Sequence, residues 1–235
     1  MRDKKIKHIQ QFYELLEQME RKIGGKRVLT NSERPISLPD RGVYFFFEQG
    51  EKLTMSGNGL RCVRVGTHAL KADAKSTLWK RLRQHRGNIR GRNPGGGNHR
   101  GSVFRYHVGT ALIERDNWSD KLAENWGGSN APRQIKDAEV PLEKAISNHI
   151  RSMPFIWLEI DDEPGPDSLR GYIERNSIAL LSNYHRQRNP VDPQSSSWLG
   201  QWAISEKVRN SGLWNSNHVD QNFDMHFLNT LESLI

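Results

Sequence analysis

Four side chains of this 235-residue chain have the chemical types needed to hydrolyse a phosphodiester bond: Tyr44, Arg81, His85 and Glu143. That reaction needs a base to activate water, cations to stabilise the extra negative charge of the transition state, and usually a metal ion on the leaving side. Arg81 and His85 are four residues apart, so on a helix they lie on one face. The chemistry is available if the fold brings the other two side chains to that face.

Two strands and a basic helix must position these side chains. Consecutive aromatic and β-branched residues predict a buried strand from Gly42 to Glu48. A second strand from Leu60 to Gly66 follows a turn-rich segment, so the two form a hairpin with a long connection. Next comes a basic helix from Thr77 to about His85, with Ser76 as its N-cap. This order of elements predicts that four side chains lie near one another: Tyr44, Arg64, Arg81 and His85.

The remainder of the chain is predicted to be mainly helical. Apolar residues recur at helical spacing from Asp3 to Ile23, which predicts a leading amphipathic helix. The further predicted elements are helices over Ser102 to Glu114, Asp137 to Met153, Asp167 to Leu181 and about Phe223 to Leu234, and a strand over Phe155 to Ile160. We therefore predict an α/β (α+β) fold, a small antiparallel sheet flanked by helices. Residues 1–34 form a helical extension, 35–160 the core and 161–235 a C-terminal extension packed on the core.

Positive charge is concentrated in one part of the chain. Lys and Arg number 35 against 27 Asp and Glu, a net charge of +8 at pH 7, and much of the excess lies between Lys71 and Arg105. A local basic surface favours a nucleic-acid partner, with the glycine-rich loop Asn88 to Gly101 wrapping a phosphate backbone. The alternative for the loop is a mobile surface segment. The predicted nucleic-acid contacts are Lys80, Arg83, Arg86, Arg90, Arg92, His99, Arg100 and Arg105.

Cysteine usage and hydropathy indicate the compartment. A single cysteine, Cys62, excludes a disulfide framework or a cysteine zinc site within the chain. The start MRDKKIKHIQ has no apolar core of a signal peptide, and no apolar run is long enough to span a bilayer. We expect a cytoplasmic protein with no membrane partner.

In its motifs and their order, the sequence resembles the GIY-YIG nuclease superfamily. Gly42-Val43-Tyr44 matches the first motif, and Val65-Gly66-Thr67 closes the second strand. The helix LWKRLRQH matches the arginine helix of the family, and Glu143 in PLEKAISNHI matches its metal-binding glutamate. Arg81 followed one helical turn later by His85 is similar to the restriction-enzyme members. The resemblance covers about half the chain, Arg41 to Met153.

The resemblance implies a role for each matched side chain. Tyr44 would exchange a proton with the attacking water, and its phenol needs a nearby cation or metal because a free tyrosine, with a pKa of about 10, is a poor base. Arg81 would hold the scissile phosphate, while His85 would position Tyr44 or the water. Glu143 would bind one Mg²⁺ or Mn²⁺ ion per site through a carboxylate oxygen.

Each of these side chains also has an ordinary structural interpretation. Tyr44 could be a core aromatic of its strand, and Arg81 a solvated arginine of its helix. His85 could cap the C-terminal end of the same helix. Glu143 could stabilise the N-terminus of its helix from the first turn. From the residues alone these alternatives stay open.

Two departures from the family pattern affect the predicted chemistry. The second family tyrosine is replaced by Arg64, a permanent cation that could contact phosphate or assist Tyr44. The asparagine that usually follows the metal glutamate has no clear counterpart, since Trp157 lies near its expected place.

We expect a metal-dependent endonuclease that acts on DNA. The alternatives are RNA cleavage, or a nucleic-acid-binding protein that has kept the scaffold and lost cleavage. By analogy with restriction enzymes, the chain could act as a homodimer.

Overall fold

A three-stranded antiparallel sheet lies at the centre of the fold, in a computed structural model that describes residues 2–30 and 33–235. Strand β1 (Gly42–Lys52) is central and pairs with β2 (Leu60–Gly66) on one side and β3 (Phe155–Glu159) on the other. The predicted hairpin of β1 and β2 is confirmed, and β1 runs past its predicted end at Glu48. The sheet therefore presents Tyr44 on its middle strand.

Nine α-helices surround this sheet in the described ranges, which confirms the α/β class with a small flanked sheet. They are α1 (Arg2–Ile23), α2 (Leu78–Arg86), α3 (Val103–Asp116), α4 (Asp120–Asn125), α5 (Arg133–Ala138), α6 (Val140–Ser152), α7 (Leu169–Leu181), α8 (Glu206–Ser211) and α9 (Phe227–Ser233). Two short 3-10 turns, His99–Gly101 and Leu199–Trp202, complete the regular structure. Within the described ranges, no helix has the length and apolar character to cross a membrane.

Two details of the predicted helices are wrong for identifiable reasons. The helix predicted from Asp137 to Met153 is divided between α5 and α6, because Pro141 has no N–H with which to continue the helical hydrogen bonding. The N-cap of α2 is Thr77 and not Ser76, since the Thr77 hydroxyl accepts a hydrogen bond from the backbone N–H of Lys80 at 3.2 Å. Neither difference moves α2 away from the sheet.

The two faces of the sheet carry two separate apolar cores. Successive side chains of a strand point to opposite faces. Val43 and Phe45 of β1 pack in the core that includes α1, α7 and α9, whereas Tyr44 and Phe46 pack in the core that includes α2, α3 and α6. Tyr44 therefore faces the helix that carries Arg81 and His85.

Candidate active site

Tyr44, His85 and Ser102 form a continuous chain of hydrogen bonds. The Tyr44 hydroxyl oxygen lies 2.7 Å from His85 Nε2, and His85 Nδ1 lies 2.7 Å from Ser102 Oγ. Tyr44 and His85 are fully buried and Ser102 is 2 % exposed. Ser102 also caps the N-terminus of α3, because its Oγ accepts the backbone N–H of Arg105 at 3.2 Å. The three side chains thus link β1, α2 and the start of α3 through polar contacts inside an apolar core.

A glycine on the neighbouring strand makes room for this arrangement. Gly66 of β2 lies opposite Tyr44 of β1, and the tyrosine ring crosses directly over it. A Cβ atom added at Gly66 would lie 2.1 Å from the Tyr44 hydroxyl oxygen, far inside van der Waals contact. The absence of a side chain at this position therefore sets the direction of the phenol towards His85.

Gly66→Ala is expected to displace the Tyr44 ring and to break its hydrogen bond with His85. The added methyl overpacks a closed core, which costs about 1–3 kcal/mol of unfolding free energy. Urea denaturation would measure that cost, and a crystal structure would show the ring position. Gly165→Ala is a control for the loss of a glycine, since nothing lies within 4 Å of a Cβ added there and its φ is not positive. An unchanged contact between Tyr44 and His85 in the alanine variant would contradict the steric argument.

His85 is held neutral by its surroundings. Burial lowers the pKa of His85 well below its ordinary value, and the positive charges of Arg81, Arg64 and Arg105 lower it further. A neutral imidazole has one nitrogen that donates a hydrogen bond and one that accepts. His85 can therefore donate to one neighbour and accept from the other, but it cannot donate to both.

Arg81 and Arg64 are the two cations near His85 that have no carboxylate partner in the described part of the chain. Arg81 is partly exposed and donates to the side chain of Gln84 at 2.9 Å and to the carbonyl of Gly101 at 3.2 Å. Neither contact neutralises its charge, so Arg81 can offer its guanidinium to a phosphate.

Arg64 points into the core beneath the site. Its guanidinium donates to the carbonyl of Trp214 at 2.7 Å and lies 4.7 Å from the centre of the Phe104 ring. Only 6 % of Arg64 is exposed, and in this arrangement its guanidinium contacts the protein interior. Arg64 was predicted to lie near Tyr44, Arg81 and His85. It is a buried cation whose charge lowers the pKa of His85.

Glu143 occupies the centre of a different buried cluster. Its Oε1 atom accepts the backbone N–H of His99 at 2.7 Å and lies 2.9 Å from His99 Nδ1. Its Oε2 atom accepts two hydrogen bonds from the guanidinium of Arg105, one of them from Nε at 3.1 Å. Burial raises the pKa of Glu143, but the hydrogen bonds from His99 and the charge of Arg105 outweigh it, so the net pKa lies below the ordinary value. Glu143 is therefore an ionised carboxylate paired with Arg105.

A metal ion at Glu143 does not fit this arrangement. A carboxylate has about four lone-pair sites, and four hydrogen-bonding contacts already fill them at Glu143. A cation would also have to share the carboxylate with the guanidinium of Arg105. Within residues 2–30 and 33–235, no group of three or more His, Cys, Asp or Glu side chains is arranged to hold a metal ion. Glu143, the residue predicted to bind the metal ion, thus forms an internal ion pair with Arg105, which is 38 residues away along the chain.

An open depression of about 770 Å³ next to α2 carries half of the predicted nucleic-acid contacts. We call it the basic depression, because its lining includes four cations as well as Glu33. The four cations are Lys80, Arg83, Arg86 and Arg90. Arg86 is 6 % exposed, with its guanidinium 5.2 Å from the centre of the Trp79 ring. The depression also reaches Gly101, whose carbonyl accepts from Arg81.

The remaining predicted contacts are divided between surface and interior. Arg92 is exposed, with Asp137 3.9 Å away. His99 and Arg105 are buried around Glu143, and Arg100 forms a two-pronged ion pair with Glu139. Each of these three residues contacts a carboxylate in this arrangement, and its predicted contact with phosphate stays a prediction.

The glycine-rich loop packs against Arg105. A Cβ atom added at Gly97 would lie 2.2 Å from an Arg105 guanidinium nitrogen, so the backbone here runs directly over that side chain. The base of the loop is closed by hydrogen bonds between Asn88 and Gly96 at 2.7 Å and between Gly95 and Asn88 at 2.9 Å. The glycines were predicted to allow close approach to a phosphate backbone, and the close approach is to a buried guanidinium.

The family model described as the GIY-YIG domain matches residues 3–235. The chain belongs to the GIY-YIG family. GIY-YIG nucleases act on nucleic acids, and membership indicates a nuclease-type function for this chain. No curated protein and no solved structure matches it. The match extends well beyond the segment from Arg41 to Met153 in which the resemblance to GIY-YIG nucleases is visible.

Two polar residues near the GIY-YIG motifs were missed by sequence reasoning. Ser102 gave a signal, since a serine before a helical segment is a typical N-cap, but nothing in the sequence connects it to His85. Glu174 on α7 gave none. Its Oε1 accepts the backbone N–H of Thr67 at 3.2 Å, and burial raises its pKa to about 7, against the opposing effects of Arg64, Thr67 and Arg81.

His107→Phe is expected to make the protein less sensitive to acid. Both ring nitrogens of His107 are buried without a hydrogen-bonding partner in the described part of the chain, and burial followed by the charge of Arg64 lowers its pKa to about 4. The folded state therefore resists protonation that the unfolded chain accepts below about pH 6.5. His107 lowers the unfolding free energy as pH falls from there to about 4, by at most about 1.4 kcal/mol per pH unit.

Urea denaturation of the wild type and of His107→Phe across that pH range would measure the difference. The phenylalanine variant should be more stable at every pH, because it removes two unpaired polar atoms, and its advantage should grow towards pH 4. The surface variant His226→Phe is the control. A difference that stays constant with pH would show that His107 is not kept neutral by burial.

Proposed function

We propose that this GIY-YIG chain is an endonuclease that hydrolyses DNA phosphodiester bonds with Tyr44, His85 and Arg81 as its reacting centre. The observation that carries the proposal is the 2.7 Å contact between the Tyr44 hydroxyl and His85, one helical turn from an arginine with no carboxylate partner in the described ranges. A tyrosine that serves only the core needs one hydrogen-bonding partner for its hydroxyl. Here Tyr44 and the neutral His85 supply a base, and the Arg81 guanidinium beside them supplies a site for an anion.

In the proposed reaction the deprotonated Tyr44 oxygen takes a proton from a water molecule. The water oxygen forms a bond to phosphorus, one phosphorus–oxygen ester bond breaks, and the departing oxygen takes a proton from solvent. Arg81 donates hydrogen bonds to the non-bridging oxygens, where negative charge accumulates in the transition state. His85 holds the tyrosine oxygen in place throughout.

The basic depression supports DNA as the partner. Lys80 and Arg83 extend from the same helix as Arg81, and Arg90 follows on the loop, so a nucleic-acid backbone bound there runs along the helix that carries Arg81. Such contacts release counterions, and affinity should fall steeply as salt is raised. None of the side chains that line the basic depression is specific for deoxyribose, so the cleavage test below includes an RNA substrate.

Dependence on Mg²⁺ or Mn²⁺ stays a prediction. Because Glu143 is occupied by Arg105 and His99, no step of the proposed reaction is assigned to a metal ion. Homodimer formation on a palindromic site and a cytoplasmic location also stay predictions. Cleavage with and without EDTA, and the mass of the protein in solution, would test the first two.

The test is cleavage of supercoiled plasmid, phage DNA and a structured RNA with Mg²⁺ or Mn²⁺ present. Wild type should nick or linearise DNA, and Arg81→Ala should lose at least a hundredfold in rate while binding DNA almost as well. Arg188→Ala, which removes an exposed arginine outside the basic depression, is the matched control. Equal rates for Arg81→Ala and the control would remove Arg81 from the mechanism, and RNA cleavage alone would change the substrate.

A second function is favoured by the state of Glu143. A GIY-YIG protein whose glutamate is neutralised internally, and whose second tyrosine position is Arg64, could bind nucleic acid without cutting it. Tight, salt-sensitive DNA binding that is lost in the double variant Lys80→Ala/Arg83→Ala, with no cleavage under any divalent metal, would identify this function.

A further inference from the structure

The hydrogen-bonded series Ser102, His85 and Tyr44 carries three protons but contains only two hydrogen bonds. Ser102 and Tyr44 each carry a hydroxyl proton, and the neutral imidazole carries one, yet only two hydrogen bonds join the three side chains. In the described part of the chain, the Ser102 oxygen accepts from the backbone N–H of Arg105, and His85 Nδ1 is the one hydrogen-bonding acceptor beside the Ser102 hydroxyl proton. One proton of the chain is therefore left without an acceptor whenever Tyr44 is protonated.

The two tautomers of His85 leave different protons unplaced. If Nδ1 carries the proton, it donates to Ser102 and the serine proton is stranded in the core. If Nε2 carries it, Ser102 donates to Nδ1, Nε2 donates to the Tyr44 oxygen, and the stranded proton is the one on Tyr44. Loss of that proton leaves every remaining proton with an acceptor. The second tautomer is thus the one that suits a tyrosine acting as a base.

We propose that Ser102 is a positioning residue that directs the Nε2 proton of His85 to the Tyr44 oxygen and so stabilises the deprotonated phenol. This inference rests on the proposed function, because it explains how Tyr44 becomes a base without a contact to a metal ion. It adds a residue that lies outside the four motif positions and that does not touch the substrate.

Charges on every neighbouring element are consistent with an anion at Tyr44. Arg64 from β2 and Arg81 from α2 both act on His85, and neither has a carboxylate partner in the described ranges. Arg105 from α3 also acts on His85, but its charge is neutralised by Glu143. Glu174 from α7 carries the opposite charge when ionised, and it is within electrostatic reach of Arg64 and Arg81. Burial raises the pKa of Glu174 to about 7, so below that pH its charge is largely absent.

Substitution of Ser102 can separate its two contacts. Ser102→Thr keeps a hydroxyl for both Arg105 and His85. Ser102→Gly removes the donor to His85, while glycine is well tolerated at the N-cap of a helix. The glycine variant should cut DNA at least tenfold more slowly at pH 7, with the pH of half-maximal rate raised by about one unit, and the threonine variant should restore most of both.

Nitrogen NMR of the full chain gives a second measurement that does not need activity. His85 signals are assigned by comparison with His85→Gln, and they should show the Nε2–H tautomer at the pH at which cleavage is fastest. The Nδ1–H tautomer at that pH, or a glycine variant with the wild-type pH profile, would overturn the role of Ser102. If the wild type cuts no DNA, the proposed function fails, and the tautomer still decides whether Ser102 donates to His85.

Discussion

Tyr44→Phe should lower the rate of DNA cleavage by about two to four orders of magnitude, the usual contribution of a positioned base. Phenylalanine keeps the ring that packs against Phe46 and removes only the hydroxyl that lies 2.7 Å from His85 Nε2. Single-turnover nicking of supercoiled plasmid measures the rate, and filter binding measures whether DNA still binds. We expect binding to be unchanged, because Tyr44 is buried and makes no contact with the basic depression.

Tyr13→Phe is the matched control for this experiment. Tyr13 is also a buried tyrosine whose hydroxyl makes one hydrogen bond, to the backbone N–H of Cys62 at 2.9 Å, but it lies in the core on the other face of the sheet. Both variants lose a buried hydrogen bond, at about 1–3 kcal/mol each in unfolding free energy. Only Tyr44→Phe should lose cleavage. If both variants cut DNA at the wild-type rate, the base is another group.

The sequence predicted the meeting of Tyr44 and His85 because that meeting depends on local order. A strand, a second strand and a helix in close succession leave few ways to pack, and the alternation of side chains assigns Tyr44 to one face of the sheet. The glycine at position 66 was visible as part of a motif, but the reason for it was not. Only the register of β1 against β2 shows that the Tyr44 ring lies over it.

The surroundings of Glu143 could not be predicted in the same way. Its partners His99 and Arg105 are 44 and 38 residues away along the chain, and the helices α3, α4 and α5 lie in the intervening segment, so no local pattern shows how α6 packs against these two residues. Exposed loop cations are the usual interpretation of such residues, and a buried arginine is uncommon unless it is paired. The pairing is a product of tertiary packing, and no local pattern in the sequence records it.

Substitutions of Tyr44 and of Glu143 should differ in how much they lower the free energy of unfolding. Tyr44 lies in a contact between neutral groups, whereas Glu143 lies in a buried ion pair with Arg105. Removal of one partner of a buried ion pair leaves the other charge in the core without compensation, which is far more costly than the loss of a neutral hydrogen bond. Loss of cleavage in a Glu143 variant therefore has two possible origins, and unfolding measurements distinguish them.

Glu143→Ala should lower the free energy of unfolding by about 3–5 kcal/mol, because Arg105 remains in the core with no carboxylate beside it. Asp220→Ala, which removes one partner of the exposed ion pair with Lys207, should cost far less in the same urea titration, because solvent screens exposed charges. The double variant Glu143→Gln/Arg105→Met should cost less than the sum of its single changes, since it leaves no unpaired charge.

The stabilisation by Glu143 should also depend on pH. The pKa of Glu143 in the folded protein is below that of the unfolded chain, so its contribution is complete above about pH 4.3 and is lost as pH falls through the folded value. The difference between wild type and Glu143→Ala should therefore shrink in acid. A Glu143→Ala protein as stable as the wild type, yet unable to cut DNA, would instead show that the carboxylate is released from Arg105 for the reaction, and a metal ion at Glu143 would then regain its place in the mechanism.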